Sequence, residues 1–150
     1  MELIPLKTPR LAVGHDLASS LQDALAHHGE VLCEGDVLAV ASKVVSYAEK
    51  RVVPCGNLNG LVDAEAERVW GAGDMRLTQT RGILIPNAGI DRSNVEEGKA
   101  VLWPLDPFES ARRLRAAFEL REFGVVITDS TIRPLRSGVT GVSIGWAGFQ

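Results

Sequence analysis

One short run of apolar residues constrains the fold of this chain more than any other feature of its sequence. The five residues Val37–Ala41 are all apolar, follow a turn at residues 34–36 and end directly at Ser42 and Lys43. A run of this length between polar boundaries predicts a strand, and its unbroken apolar character predicts that both faces of the strand are buried. The rest of the chain must then supply elements that cover it.

Strand and helix patterns mix along the rest of the chain without a regular alternation. Predicted strands are residues 3–6, 76–80, 82–85, 101–103, 125–128 and 142–145, predicted helices are 16–28, 63–70 and 106–123, and predicted loops are 54–60 and 87–94. The last helix has the clearest start, with Asp106 as N-cap, Pro107 in the first turn and Glu109 completing a capping box. The pattern predicts an α/β domain of the mixed (α+β) kind, in which a mixed sheet packs against helices, and not a regular Rossmann fold.

Composition narrows the classes of protein and partner. The 150 residues are 45% hydrophobic and 23% charged with a net charge of −3, which is typical of one globular domain. Without a basic excess we expect no nucleic-acid partner, and no apolar run approaches the roughly 20 residues that span a bilayer. Cys33 and Cys55 make no disulfide framework, and the N-terminus has no signal-peptide pattern. We therefore expect a cytoplasmic protein with no membrane partner.

Two aspartates are placed where a metal ion could bind. Asp91 lies in a polar loop next to a hydroxyl and an amide side chain, and Asp129 with Ser130 follows the predicted strand 125–128. Carboxylate and hydroxyl oxygens are the ligands that Mg²⁺ and Mn²⁺ prefer, and such ions commonly bridge substrate phosphates. The alternative is structural: Asp91 forms a turn and Asp129 caps a loop or helix.

Ser42 and Lys43 follow the first buried strand, where hydroxyl and backbone N–H groups suit phosphate binding. The Walker-type glycine-rich loop is absent, so the alternative is a helix cap followed by an exposed lysine. We expect the tryptophans, Trp70, Trp103 and Trp146, to be core residues and not a ligand box.

Several segments together resemble one known family. In chain order they are GHDL at 14–17, GDVLAVASKVVS at 35–46, AE at 48–49, R at 51, NAGIDRSNV at 87–95, LxPxDP at 102–107, SA at 110–111, VITDS at 126–130, RP at 133–134, RxGxT at 136–140 and IG at 144–145, where x is a position that does not contribute to the resemblance. Their order and approximate spacing are similar to those of the coenzyme F-420-0:L-glutamate ligases, the gamma-glutamyl ligases of the deazaflavin cofactor, along nearly the whole chain.

The resemblance implies a ligase-like fold and a GTP-dependent reaction. Members of the family attach L-glutamate to a carboxylate of the deazaflavin acceptor, which is first activated as an acyl phosphate. The implied cofactors are Mg²⁺ or Mn²⁺ together with a monovalent cation, GTP is a co-substrate, and the implied assembly is a homodimer. By the same resemblance the metal ligands are Asp91, Asp129 and Ser130. The residues expected to contact GTP are Pro9, Arg10, Leu11, Ser42 and Asn94. No catalytic residue is assigned, and Glu49 matches a motif position without a role.

Some positions depart from the family pattern. Tyr47 stands where the family has a lysine expected to touch nucleotide phosphates, and Lys50 stands nearby at a position that is usually glycine. The stretch between residues 51 and 87 is shortened, Leu135 replaces a tryptophan, and Gly141 replaces an acid.

Residues 1–150 are expected to form a single ligase-like domain without the C-terminal portion of the family. A second interpretation therefore stays open: a catalytically impaired relative that binds nucleotide and metal, or one part of a split enzyme. A third is a structural fragment covered by a second copy.

Overall fold

The computed structural model describes residues 2–133 and 135–149. Its helices are α1 (Leu17–His28), α2 (Ser42–Ala48), α3 (Leu58–Glu65) and α4 (Pro107–Ala116), with a 3₁₀ turn at Asn87–Gly89. Its strands are β1 (Val37–Ala41), β2 (Val52–Pro54), β3 (Arg68–Trp70), β4 (Leu77–Thr80), β5 (Ile83–Pro86), β6 (Lys99–Val101), β7 (Gly124–Thr131) and β8 (Thr140–Ala147). Among the described residues, no helix is both long enough and apolar enough to cross a membrane.

The central sheet is mixed, as the sequence predicted. Its strand order is β1-β7-β8: β1 runs parallel to β7, and β7 pairs antiparallel with β8. A register shift between Ile127 and Thr128 marks a bulge in the β7–β8 pair. The mixed sheet packed with helices confirms the predicted fold class.

The prediction that both faces of β1 are buried is wrong. Leu38 and Val40 are buried, whereas Val37, Ala39 and Ala41 on the opposite face are exposed. The reason is that β1 is an edge strand, and that the buried residues of α1, α2 and α4 form one core with Leu38 and Val40. The core on that face contains Leu21, Leu38, Val40, Val45, Ile85, Trp103, Ala111, Leu114, Phe123, Val125, Ile127, Ile144 and Ala147.

Two smaller antiparallel sheets flank the central one. Strand β2 pairs with β6, and β3, β4 and β5 form a meander. The β4–β5 turn uses Arg81 and Gly82, whose φ angles of 51° and 75° give the left-handed pair that a two-residue hairpin favours. The predicted strands 76–80 and 82–85 are confirmed as this hairpin, and the predicted strand 101–103 becomes β6, two residues earlier.

Two local predictions near the N-terminus and in the middle of the chain are wrong. Residues 3–6 form no strand, because they pair with no strand among the described residues and the side chains of Leu3 and Ile4 are exposed. The predicted helix 63–70 is instead α3, which begins earlier because the side chain of Asn57 caps it by accepting from Gly60 N at 3.1 Å. The residues that follow α3 pair with β4 and become β3.

Helix α4 begins at the predicted Asp106 cap but ends early, and Glu109 does not complete the predicted capping box, because its carboxylate pairs with Arg112 and Arg113. Asp106 caps it by accepting from Glu109 N at 2.9 Å, but the helix stops at Ala116 and not at residue 123. Arg115 explains the stop, because its guanidinium donates to the carbonyl groups of Arg121 at 2.5 Å and Phe123 at 2.7 Å. These bonds fold the chain back beneath the helix, where β7 enters the core.

Candidate functional site

The parallel pairing of β1 and β7 builds the first part of the site. Ala41 lies opposite Thr128, so the residues that follow them, Ser42 and Asp129, are neighbours. Ser42 Oγ donates to Asp129 Oδ1 at 3.1 Å. The two residues therefore meet at the carboxyl edge of the parallel pair, where ligands bind in many α/β proteins. The prediction needs one correction: Asp129 and Ser130 lie inside β7, which continues against β8 after its pairing with β1 has ended.

A cleft with a volume of about 410 Å³ opens at this edge. Four of the residues predicted for the site line it: Ser42, Asp91, Asp129 and Ser130. The other polar side chains of the lining are those of Lys43, Ser46, Ser93, Trp103 and Thr128. Residues from three distant parts of the chain thus converge on one concave surface.

Asp91 is positioned by the backbone of its own loop. Its N–H donates to Val101 O at 2.9 Å and its carbonyl accepts from Val101 N at 2.8 Å, so the loop is joined to the end of β6. Its carboxylate accepts from Ser93 N at 2.7 Å and forms an ion pair with Lys43. The turn interpretation of Asp91 and the cleft interpretation both hold, because one oxygen closes the turn while the other lies beside Lys43.

The charge on Asp91 is stabilised by these contacts. Partial burial would by itself raise the pKa of Asp91, but hydrogen bonds from Lys43 and Ser93 outweigh it and lower that pKa below its ordinary value. Asp91 is therefore a carboxylate at neutral pH. Lys43 is half-buried in the cleft and also donates to Ser93 O at 3.0 Å. The alternative interpretation, in which Lys43 is an exposed lysine after a helix cap, is therefore wrong.

The donor set of the cleft fits a hard divalent cation. Asp91, Asp129 and Ser130 offer only oxygen ligands, and Lys43 balances one of the two carboxylate charges. Within residues 2–133 and 135–149, no three His, Cys, Asp or Glu side chains form a group that could hold a metal. An ion here would complete its coordination with water and substrate phosphates, which is how Mg²⁺ is commonly bound.

Trp103 lines the cleft, although the sequence predicted only a core position. It is a core residue, as predicted, but its indole Nε1–H also donates to Asp129 Oδ2 at 2.5 Å. The contact joins side chains that are 26 residues apart. No local pattern could therefore have signalled it; only the packing of β7 beside the segment after β6 creates it.

Other residues expected at the nucleotide lie outside the lining of this cleft. Pro9, Arg10 and Asn94 are exposed and Leu11 is half-buried. Asn94 follows Ser93, which does line the cleft, and it has a left-handed φ of 55°. The assignment of these residues to GTP stays a prediction. Pro134 of the Arg-Pro motif lies outside the described residues.

Two positions that depart from the family pattern, Tyr47 and Lys50, lie at the C-terminal end of α2 and just after it. The carbonyl of Tyr47 accepts from Gly14 N at 2.7 Å, which fixes the N-terminal segment against the end of α2. Lys50 is exposed and its side chain runs along Gly14. Neither residue lines the cleft, so Lys50 does not replace the missing lysine there.

Glu49 has a structural role. Its carboxylate accepts from Leu105 N at 3.0 Å and from the hydroxyl of Ser110. It therefore ties the end of α2 to the first turn of α4.

Comparison with known proteins gives one consistent family. The profile of the family described as F420-0:Gamma-glutamyl ligase matches residues 5–68 and 60–150. The profile match breaks within the stretch that the sequence analysis identified as shortened. These matches together cover most of the chain.

Several curated relatives share one name, coenzyme F420:L-glutamate ligase. The coenzyme F420:L-glutamate ligase of Methanothermobacter thermautotrophicus is 35% identical in an alignment that covers 95% of this chain and 66% of that protein. The ligase of the same name from Natronomonas pharaonis is 36% identical over 94% of this chain and 63% of its own length. The one from Methanopyrus kandleri is 36% identical over 99% of this chain and 66% of its own length. The chain thus spans about two thirds of the length of the curated relatives it matches.

Proposed function

Because the chain belongs to the F420-0:Gamma-glutamyl ligase family, we propose that it joins L-glutamate to the deazaflavin coenzyme F420-0 in a reaction driven by GTP and a divalent metal. The observation that carries the proposal is the convergence of Ser42, Asp91, Asp129 and Ser130 on one cleft. The names of the relatives supply the substrates, and the cleft supplies donors suited to phosphate chemistry.

The proposed reaction has two steps. The terminal phosphate of GTP is first transferred to a carboxylate oxygen of the acceptor, which yields GDP and an acyl phosphate. The amine of L-glutamate then attacks the acyl carbon, the bond from that carbon to the phosphate oxygen breaks, and the amine loses a proton. The products are the amide, GDP and inorganic phosphate.

The residues of the cleft match what phosphoryl transfer requires, which is mainly positioning and charge neutralisation. Asp91, Asp129 and Ser130 would hold Mg²⁺ or Mn²⁺. When bound, such an ion supplies positive charge that neutralises a phosphate chain. Ser42 orients Asp129 through its hydrogen bond, and Lys43 orients and partly neutralises Asp91. We also propose that the residues that contact the nucleotide are Pro9, Arg10, Leu11, Ser42 and Asn94, and that a monovalent cation takes part in the reaction.

We propose that the protein acts as a homodimer in the cytoplasm. The support for the dimer is the uncovered face of the central sheet, where Val37, Ala39 and Trp146 are exposed. Exposed contiguous apolar surface of this kind commonly marks an interface.

A second candidate function is a relative that binds nucleotide and metal but is impaired in ligation, or that is one part of a split enzyme. The observation that favours it is the missing positive charge: Tyr47 occupies the lysine position of the family, and Lys50 lies against Gly14 outside the cleft lining.

A product assay separates the two candidates. The purified chain is incubated with the deazaflavin acceptor, L-glutamate, GTP and Mn²⁺, and the mass of the acceptor is measured. We expect a gain of one or more glutamate residues, its loss in Asp129→Asn, and no change in the control Asp23→Asn, which alters an exposed aspartate on α1.

Two negative results of this assay would also distinguish the candidate functions. No gain, with Mn²⁺ and GTP still bound, would support the impaired or split form. No gain together with no binding of either would contradict both candidates.

A further inference from the structure

Trp103 contacts both of the chain segments that carry the candidate metal ligands. We infer that Trp103 is a positioning residue, whose indole ring sets the position of the Asp129 carboxylate relative to the loop that carries Asp91. The inference rests on the metal site of the proposed function.

The contact with Asp129 fixes the orientation of its carboxylate. Trp103 is 2% exposed, and its Nε1–H donates to Asp129 Oδ2 at 2.5 Å. The other oxygen accepts from Ser42 Oγ at 3.1 Å. Two donors from different elements therefore prevent the carboxylate from turning, and a hydrogen bond to an ionised acceptor is stronger than one between neutral groups.

The contact with the Asp91 loop is made by the same ring. Gly89 has a left-handed φ of 71°, and a Cβ added there would lie 2.3 Å from Trp103 Cε2 and from Trp103 Nε1. The ring thus occupies the space that any side chain at position 89 would need. The loop is also joined to the chain just before Trp103, because Asp91 and Val101 exchange two backbone hydrogen bonds.

The backbone of Trp103 is fixed by Arg51, which belongs to neither of these two segments. Arg51 Nε donates to Trp103 O at 2.9 Å, and Arg51 Nη2 donates to Glu65 Oε2 at 2.6 Å. Leu102 N donates to Arg51 O at 3.0 Å. The segment 101–103 is therefore anchored to β2 and α3, and it presents one rigid side chain to both carboxylate-bearing segments.

This arrangement has the form of an outer shell around a metal site. Groups that hydrogen-bond to a ligating carboxylate orient it, and their loss typically lowers metal affinity 10- to 100-fold. An indole suits the role because it has one donor, no acceptor and little conformational freedom once buried.

The test compares Mn²⁺ binding by the parent chain, Trp103→Phe and the matched control Trp70→Phe, with free Mn²⁺ measured by electron paramagnetic resonance. Phenylalanine keeps an aromatic ring against Gly89 and removes the N–H donor. We expect Trp103→Phe to bind Mn²⁺ about tenfold more weakly or worse. Trp70 lies on β3, away from the cleft lining, and its replacement should leave the affinity unchanged.

A second measurement needs no variant at position 103. In a spectrum of the indole N–H groups of the parent chain, Mn²⁺ should broaden the Trp103 signal at concentrations that leave Trp70 and Trp146 sharp. A folded Trp103→Phe chain with parental Mn²⁺ affinity would overturn the inference, and so would a Trp103 signal that Mn²⁺ leaves unchanged.

The outcomes separate this inference from the proposed function. Normal ligation with an unaltered Mn²⁺ affinity in Trp103→Phe would overturn the inference alone. Weakened Mn²⁺ binding in Trp103→Phe without ligation by the parent would support the inference and contradict the proposed reaction. A parent chain that binds no Mn²⁺ would overturn both.

Discussion

Ser46 lines the cleft and is almost completely buried. It is 1% exposed, and within residues 2–133 and 135–149 its Oγ has no hydrogen-bond partner. Ser42, one helical turn earlier in α2, is also buried but donates to Asp129. The two serines therefore provide a matched pair within one helix.

We predict that Ser46→Ala stabilises the fold. Removing an unpaired buried hydroxyl relieves its desolvation cost, and alanine is the better helix former, so the free energy of unfolding should rise by about 1 kcal/mol. The control Ser42→Ala loses a hydrogen bond to a carboxylate and should lower it by about 1–2 kcal/mol. Urea denaturation measures both. A Ser46→Ala chain less stable than the parent would show that the hydroxyl has a partner.

Asp91 should remain ionised to unusually low pH. Because the pKa of Asp91 is lowered in the folded chain, its charged form stabilises the fold above the unfolded value of about 3.9. That contribution is lost as the pH falls below 3.9 and through the folded pKa. Replacing Lys43 by methionine removes one of the hydrogen bonds that outweigh burial, so the pKa of Asp91 should rise. A carboxyl titration by nuclear magnetic resonance follows it in both chains, and an unchanged pKa in Lys43→Met would contradict this explanation.

At the residue scale, the sequence predicted those site residues that lie at the end of a predicted strand or in a recognisable loop motif. Ser42 and Asp129 were predictable because each follows the end of a predicted strand, Ala41 in one case and Thr128 in the other, and these two residues are partners in the parallel pair. Asp91 was predictable from its loop motif. Trp103 was not predictable, because an indole that hydrogen-bonds across the fold has the same local sequence as one that only packs.

At the scale of elements, helix starts were easier to predict than helix ends. Asp16 and Asp106 each cap a helix by accepting from the N–H group three residues further on, and α1 and α4 begin within one residue of the predicted starts at 16 and 106. The end of α4 depends on Arg115, whose bonds reach residues six and eight positions further along. The end of α1 was predictable because Gly29 adopts the left-handed conformation locally.

The cap of α4 gives an element-scale prediction. Asp106→Ala removes the acceptor for Glu109 N and should lower the free energy of unfolding by about 1 kcal/mol. Asp106→Asn keeps a side-chain acceptor of similar capping strength and should stay within a few tenths of a kcal/mol of the parent. Thermal or urea unfolding compares the three chains. Equal losses in both variants would mean that the carboxylate charge, and not the cap hydrogen bond, stabilises the start of α4.

At the scale of the whole molecule, the mixed architecture was predictable and the one-sided burial of the sheet was not. The apolar run of β1 has the composition of a strand covered on both faces, yet within β1 only Leu38 and Val40 are buried. The cross-strand neighbours Ala39, Val126 and Trp146 form a row on the opposite face. A single sequence does not reveal what packs on such a face, because the residues that pack on it need not be close to the strand in the chain.

This uncovered face provides the test of the proposed homodimer. Trp146 is 46% exposed and packs edge-on against Phe108 with ring centroids 4.6 Å apart, so a second copy could bury a continuous aromatic surface. We expect light scattering to give a mass twice the 16.1 kDa of the chain. Trp146→Lys should shift the mass toward the monomer, because a lysine in a buried apolar interface carries an unpaired charge. Val31→Lys, which alters an exposed apolar residue in the loop after α1, should remain dimeric. A folded parent chain of monomeric mass would contradict the homodimer, and it would show that no second copy packs on this face of the sheet.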